Sequence, residues 1–211
     1  MGLPNCLLDP SAPLVLDASV VINLNATGDA ARILAAIPNS IVILDVVSQE
    51  LQVGRATGRT DADMVDDLVK AGSAQLASLS AECEGNFLAL VSGAGVTTLD
   101  DGEAATIAWA VAHGGIPIID EKKGLAICQD RFPSLQLGTT TDLLAHERVR
   151  AELSVEELAD AIFKALSLAR MRVLDRNIPW VVSMIGQERA SLCFSLPRSS
   201  RIVGGHPPLQ N

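Results

Sequence analysis

The stretch Leu14-Val15-Leu16-Asp17-Ala18-Ser19-Val20-Val21-Ile22-Asn23-Leu24 decides how this chain folds. Its first three residues form a short apolar run with the character of a buried strand. The run meets a single carboxylate, Asp17, and then continues with helical character. That order places Asp17 at the lip of a sheet, where an acid loses solvation unless something binds it.

Two further apolar runs end in the same way. Ile41-Val42-Ile43-Leu44 leads into Asp45, and Ile116-Pro117-Ile118-Ile119 leads into Asp120. Pro117 is awkward inside a central strand and is expected at a strand start or a bulge. Helical patterns fill the intervals: 18–36 with an interruption at Thr27-Gly28-Asp29, 46–53 stopped by Gly54, 61–71 with Met64, Leu68 and Ala71 on one side, and 81–91. Another opens at Asp100-Asp101-Gly102-Glu103, shows Ala104, Ile107, Ala108 and Val111 as its apolar face, and stops at His113-Gly114-Gly115. A weak strand is expected near 75–78, a polar loop over 54–60, and a Gly93/Gly95 loop before Asp100. Beyond Asp120 come a helix over 121–130, a short strand over 135–137 and a helix over 139–149.

Strands alternating with helices at this spacing predict an α/β fold, a three-layer α/β/α sandwich around a mainly parallel sheet. Residues 1–13 hold three prolines and read as an irregular lead-in. After about residue 150 only helix is predicted: 154–172 opens with the capping-box pattern Ser154-x-x-Glu157. Trp180, an apolar patch (Val181, Val182, Met184, Ile185) and a Pro/Gly-rich end follow. The expected organisation is one domain over 1–150, with a helical extension and irregular tail over 151–211 packed on it or at a subunit interface.

The chain has 211 residues, 48% hydrophobic and 19% charged, which is a globular composition. No apolar run approaches the ~20 residues of a membrane span, and the start has no basic region or signal-like core, so the expected compartment is the cytoplasm. The four cysteines, Cys6, Cys83, Cys128 and Cys193, are scattered without zinc-ligand spacing and read as buried thiols. A net charge of −9, aromatics at 3% and no Tyr argue against a protein that coats nucleic acid. They leave room for an enzyme that meets phosphates through bound cations.

In a parallel sheet the C-terminal strand ends share one edge, where open α/β sheets bind ligands. Asp17, Asp45 and Asp120 are expected there. Glu103, in the first turn of its helix with Ile107 one turn on, should border the core, and Glu50 lies beside Val46 and Val47. Carboxylates this close cannot all stay ionised without a compensating cation, and an all-oxygen set indicates Mg²⁺ or Mn²⁺. Each residue also has a plainer reading. Asp17 and Asp45 suit helix caps, Asp100-x-x-Glu103 is itself a capping box, and Glu50 could be a surface glutamate. Lys122 and Lys123 read as a solvated helix face rather than a phosphate contact. His113 and His146 read as helix-end residues, and Met171/Trp180 as packing or a subunit contact. Gly93-Ala94-Gly95 lacks the third glycine of a dinucleotide fingerprint.

The ordered set Asp17…Glu50…Glu103…Asp120 resembles the PIN-domain nucleases, and within them the VapC-like toxin ribonucleases. The pieces that carry the likeness are 16–24, Ser48-Gln49-Glu50-Leu51, Leu99-Asp100-Asp101-Gly102-Glu103-Ala104, Ile118-Ile119-Asp120-Glu121-Lys122-Lys123 and Leu137-Gly138-Thr139-Thr140. The resemblance implies a metal-dependent endoribonuclease acting on single-stranded RNA, with Asp17, Glu50, Glu103 and Asp120 as catalytic, metal-binding acids and Ser19 as a polar helper. Asp17 and Asp120 would hold the principal metal, Glu103 complete the site and Glu50 orient it. An antitoxin protein and a second copy of the chain are the implied partners. The family's second aspartate after the Asp120 position is here Glu121.

Two other readings compete. A haloacid dehalogenase-type phosphatase needs an aspartate two residues after the first, where this chain has Ser19. A catalytically inactive PIN-like acidic module for protein binding draws on the net charge and the apolar tail.

Overall fold

The computed structural model describes residues 9–92 and 98–201. The Gly93-Ala94-Gly95 loop, Cys6, most of the lead-in and the end of the tail lie outside them. In chain order the elements are β1 (Leu14–Leu16), α1 (Ala18–Thr27), α2 (Ala30–Ala36), β2 (Ile41–Leu44), α3 (Asp45–Arg55), α4 (Asp61–Lys70), β3 (Gln75–Ala77), α5 (Ala81–Val91), α6 (Asp101–His113), β4 (Ile116–Ile118), α7 (Lys122–Arg131), α8 (Thr140–Ala145), α9 (Glu147–Glu152), α10 (Val155–Leu168), α11 (Ile178–Ile185), α12 (Gln187–Leu192) and α13 (Arg198–Arg201). A single 3₁₀ turn, Asp175–Asn177, precedes α11.

The four strands form one parallel sheet in the order β3-β2-β1-β4. Leu16 stands opposite Ile43 on one side and Ile118 on the other. All strands therefore run the same way, and Asp17, Asp45 and Asp120 follow their strands at one edge. The sheet is flanked by helices as a PIN-like α/β/α sandwich with C-terminal helices. β1, β2 and β4 are buried along their whole length, as strands covered on both faces must be. α6 lies against β1, β2 and β4 and carries α5, while α10 packs on α1 and α11 on α10. Leu158, Ile162, Val181 and Ile185 join the same apolar core as Leu16 and Ile43. No helix among the described residues is long and apolar enough to cross a membrane.

Several local expectations change. Pro117 sits in the middle of β4, not at its start. β4 pairs with β1 through Ile116 and Ile118, whose backbone groups bond Pro13 and Asp17, so the missing N–H of Pro117 faces away from β1, toward the outer edge where its carbonyl accepts from Gly138. Residues 135–137 form no strand; the outer pairing is one bridge between Ile118 and Gly138. The helix over 139–149 breaks at His146, whose extended backbone ends α8 while its Nδ1 accepts from the Arg148 N–H to cap α9. On α4 the buried residues are Asp61, Ala62, Val65 and Leu68, and Ala71 is exposed. Gly54 lies inside α3 instead of stopping it. Val111 is only half-buried, whereas Ala105 and Ala110 are fully buried, so α6 is apolar over more of its girth than one stripe. The helix begun by the Ser154–Glu157 capping box ends at Leu168.

Candidate metal centre

Asp17 terminates β1 and caps α1. Its Oδ2 accepts from the Ser19 N–H at 3.2 Å and from the Ser19 hydroxyl at 2.6 Å. Only 5% of its surface is exposed. Burial, and then the charge of Asp100, push its carboxyl above the usual range against the pull of Ser19. The helix-cap reading therefore holds for Asp17, and the same carboxylate is buried at the sheet edge.

Asp120 follows β4 and is the most firmly held acid. The Thr140 N–H donates to Oδ1 at 2.8 Å, while the Thr140 hydroxyl and Asn23 Nδ2 donate to Oδ2 at 2.5 and 2.7 Å. Burial outweighs these bonds and raises its pKa to about 6, with the charge of Asp17 adding to the rise. Thr140 reaches it because the capping box of α8, Thr139 with Asp142, fixes the turn after the Gly138 bridge.

Glu103 enters from the first turn of α6, its N–H bound by Asp100, which caps that helix at 2.9 Å. It is 5% exposed, yet its Oε1 has no hydrogen-bond partner. Burial first, then the charges of Asp17, Asp100 and Glu121, drive its pKa to about 8, and Lys123 offsets part of this. A buried, unpartnered carboxylate oxygen is costly and demands an explanation. Glu50, on the exposed side of α3, is raised by partial burial and by Asp17 and Asp100. A Cβ built on Gly102 would stand 2.8 Å from Glu50 Oε2 and 3.9 Å from Asp100 Oδ1, so both acids crowd the start of α6.

The four acids expected from the sequence thus stand in one electrostatic neighbourhood. Asp100 joins them, acting on Asp17, Glu50 and Glu103. Asp45 does not act on any of them; it is the first residue of α3 and its side chain accepts from the Val46 N–H. Lys122 pairs with Asp175 at 3.4 Å, and His113 packs edge-on against Trp109. Among the described residues no three Asp, Glu, His or Cys side chains are already closed around one point. The strand ends and helix starts bring the acids together against their mutual repulsion, without closing them into a cage.

Residues that sequence reasoning missed support these acids. Asn23 was legible as a polar position among Val20, Val21 and Leu24 on a buried face, though its target was not. Gly124 had no signal at all. It lies where a methyl would overlap Glu103 Oε1, so only glycine lets α7 pass that carboxylate. The four side chains offer only carboxylate oxygens, the chemistry a hard divalent cation would take, and Glu103 Oε1 has no partner within the protein. Gly124→Ala is expected to weaken Mn²⁺ binding about 10- to 100-fold, the range for a residue that positions a ligand. Calorimetric titration against the wild type measures this.

The chain is thus a parallel α/β sandwich with acids gathered at the carboxyl edge of its sheet. A PIN-domain family profile matches residues 13–175, and the chain belongs to that family, which is of nuclease type. The matched region includes every acid above and α10. No curated protein and no solved structure matches the chain.

Proposed function

We propose that this protein is a metal-dependent endoribonuclease that cleaves single-stranded RNA, with Asp17, Glu50, Glu103 and Asp120 as the Mg²⁺ or Mn²⁺ ligands. The observation that carries the proposal is Glu103: a buried carboxylate with an unpartnered oxygen, in the field of three other acids, against which α7 packs so closely at Gly124 that no side chain fits there. A cation there would offset the burial and the repulsion that otherwise keep its proton on.

Each residue has a distinct part. Asn23 and Thr140 saturate Asp120 from the protein side and fix its orientation, and Ser19 does the same for Asp17. Glu50 and Glu103 have three side-chain torsions each and supply the adjustable ligands. Bound there, the cation would supply Lewis acidity toward the phosphodiester and a water of lowered pKa. A toxin role, held in check by an antitoxin, is the physiological setting we propose.

The test is cleavage of labelled single-stranded RNA by the purified protein with Mg²⁺ or Mn²⁺, then with EDTA, alongside Asp17→Asn. Cleavage should require metal and vanish in the variant. Metal-dependent cleavage that Asp17→Asn leaves unchanged sinks the assignment, and no cleavage under any condition favours the binding-module alternative.

A further inference from the structure

Asp120, Ser19 and Asn23 form one end of an open cleft of about 670 Å³. Arg59, from the loop after α3, and Arg170 and Arg172, from the segment after α10, line the same cleft. Three arginines in one cleft with Asp120 stand out in a chain of net charge −9. A second opening shares Arg170 and Arg172 and leads to Leu192 and Phe194. Phe194 is 83% exposed, the most exposed large apolar residue among those described.

Arg170 is the residue that needs explaining. It follows α10 with a φ of +57°, a left-handed turn that normally falls to glycine. The turn is closed by the Met171 N–H donating to the Ala165 carbonyl at 3.0 Å. Among the described residues the Arg170 side chain has no hydrogen bond or ion pair. A strained backbone that presents an unpaired guanidinium into a cleft points to a ligand.

Its neighbours are held loosely. Arg172 meets Glu121 at 2.8 Å in a pair where both side chains are largely exposed, which is worth little. Arg59 uses Nε on the buried Asp61 at 2.7 Å, an acid also bound by Asn25. This anchors the arginine without consuming its two terminal nitrogens.

We infer that this cleft is the path of single-stranded RNA, with Arg59, Arg170 and Arg172 on its phosphates and Phe194 stacking under an unpaired base. The inference rests on the nuclease reading and adds where the substrate lies. Guanidinium forks match phosphate oxygens, and the face of the Phe194 ring opposite the Arg201 guanidinium, which lies 5.4 Å from the ring centroid, accepts any base. Recognition is then backbone-led and tolerant of sequence.

Fluorescence anisotropy of a labelled single-stranded oligoribonucleotide in EDTA, over a salt series, reads the path without cleavage. Three phosphate contacts predict a slope of log K on log[salt] near −2, at about 0.7 per contact. Each of Arg59→Gln, Arg170→Gln and Arg172→Gln should flatten the slope by about 0.7 and weaken binding about three- to tenfold at low salt. Phe194→Ala should weaken it about fivefold with the slope unchanged. Arg170→Gly separates charge from structure, because it should relieve the turn, leaving the melting temperature no lower, while binding falls as for Arg170→Gln.

Wild-type binding that the substitutions leave untouched overturns the cleft, as does absence of binding in EDTA, and metal-dependent cleavage would still stand in either case. Arginine-dependent binding without cleavage in Mg²⁺ overturns the nuclease reading and keeps the cleft.

Discussion

Asp120→Asn is expected to remove the metal site and lower RNA cleavage about a thousandfold while the fold survives. The substitution conserves volume and keeps an oxygen for the Thr140 N–H, which now donates to Oδ1 at 2.8 Å. It fails on the other side. Oδ2 accepts from both Asn23 Nδ2 and the Thr140 hydroxyl. An amide nitrogen placed there would face a donor, so Asn23 must turn, at a modest cost in stability. The larger loss is chemical, because a neutral amide cannot balance a divalent cation as a carboxylate does. Several kcal/mol of metal-derived stabilisation correspond to about three orders of magnitude in rate. Calorimetry with Mn²⁺ and single-turnover cleavage check the two halves separately. Wild-type Mn²⁺ affinity in this variant would falsify Asp120 as a ligand.

Glu103→Gln has the second large effect, and its sign is opposite for stability. Glu103 titrates near 4.5 when exposed and at about 8 in the fold, chiefly through burial and then through Asp17 and Asp100. Between those values the folded protein holds a proton that the unfolded chain has released. The contribution of Glu103 to metal-free stability is therefore fully present below about pH 4.5 and is lost as the pH rises to about 8. Glutamine removes that slope. The metal-free variant should melt about 3–6 °C above the wild type at pH 8, as one to two kcal/mol implies for a chain of this size. The gain in melting temperature that Mg²⁺ or Mn²⁺ gives the wild type should disappear. Metal binding at pH 7 should also release about one proton in the wild type and none in Glu103→Gln, because Glu103 still holds its proton at that pH while most of Asp120, at about 6, has lost its own. Equal stability of the two proteins across the pH range would remove the repulsion argument.

The plainer readings of the acids turn out to be compatible with the site. Asp17 caps α1 and Asp100 caps α6, yet both contribute to one negative field. A cap position at a strand-to-helix turn fixes an acid at the sheet edge. The bond it makes to the backbone uses one lone pair and leaves others. Cys128 shows the reach of that field: burial, and then Glu103, push its thiol to about 12 and keep it inert.

The sequence by itself determined the strand ends and their acids. Leu14–Leu16 and Ile41–Leu44 are uninterrupted apolar runs followed by a charge, and a parallel sheet must carry such residues to one edge. It also determined the helix starts at Asp100 and Ser154, because caps act within four residues. Only the tertiary structure decided which acids meet. Asp45 and Asp17 have the same local signature, but Asp45 stays with its own helix while Glu50, one turn on, leans toward Gly102. Only the tertiary structure, too, found Asn23 and Thr140 on Asp120, Gly124 under Glu103, and Arg170 beside the cleft. Those contacts join residues 20 to 150 positions apart. Burial, repulsion and close approach depend on what packs across the space between elements, and no local pattern in the chain records it.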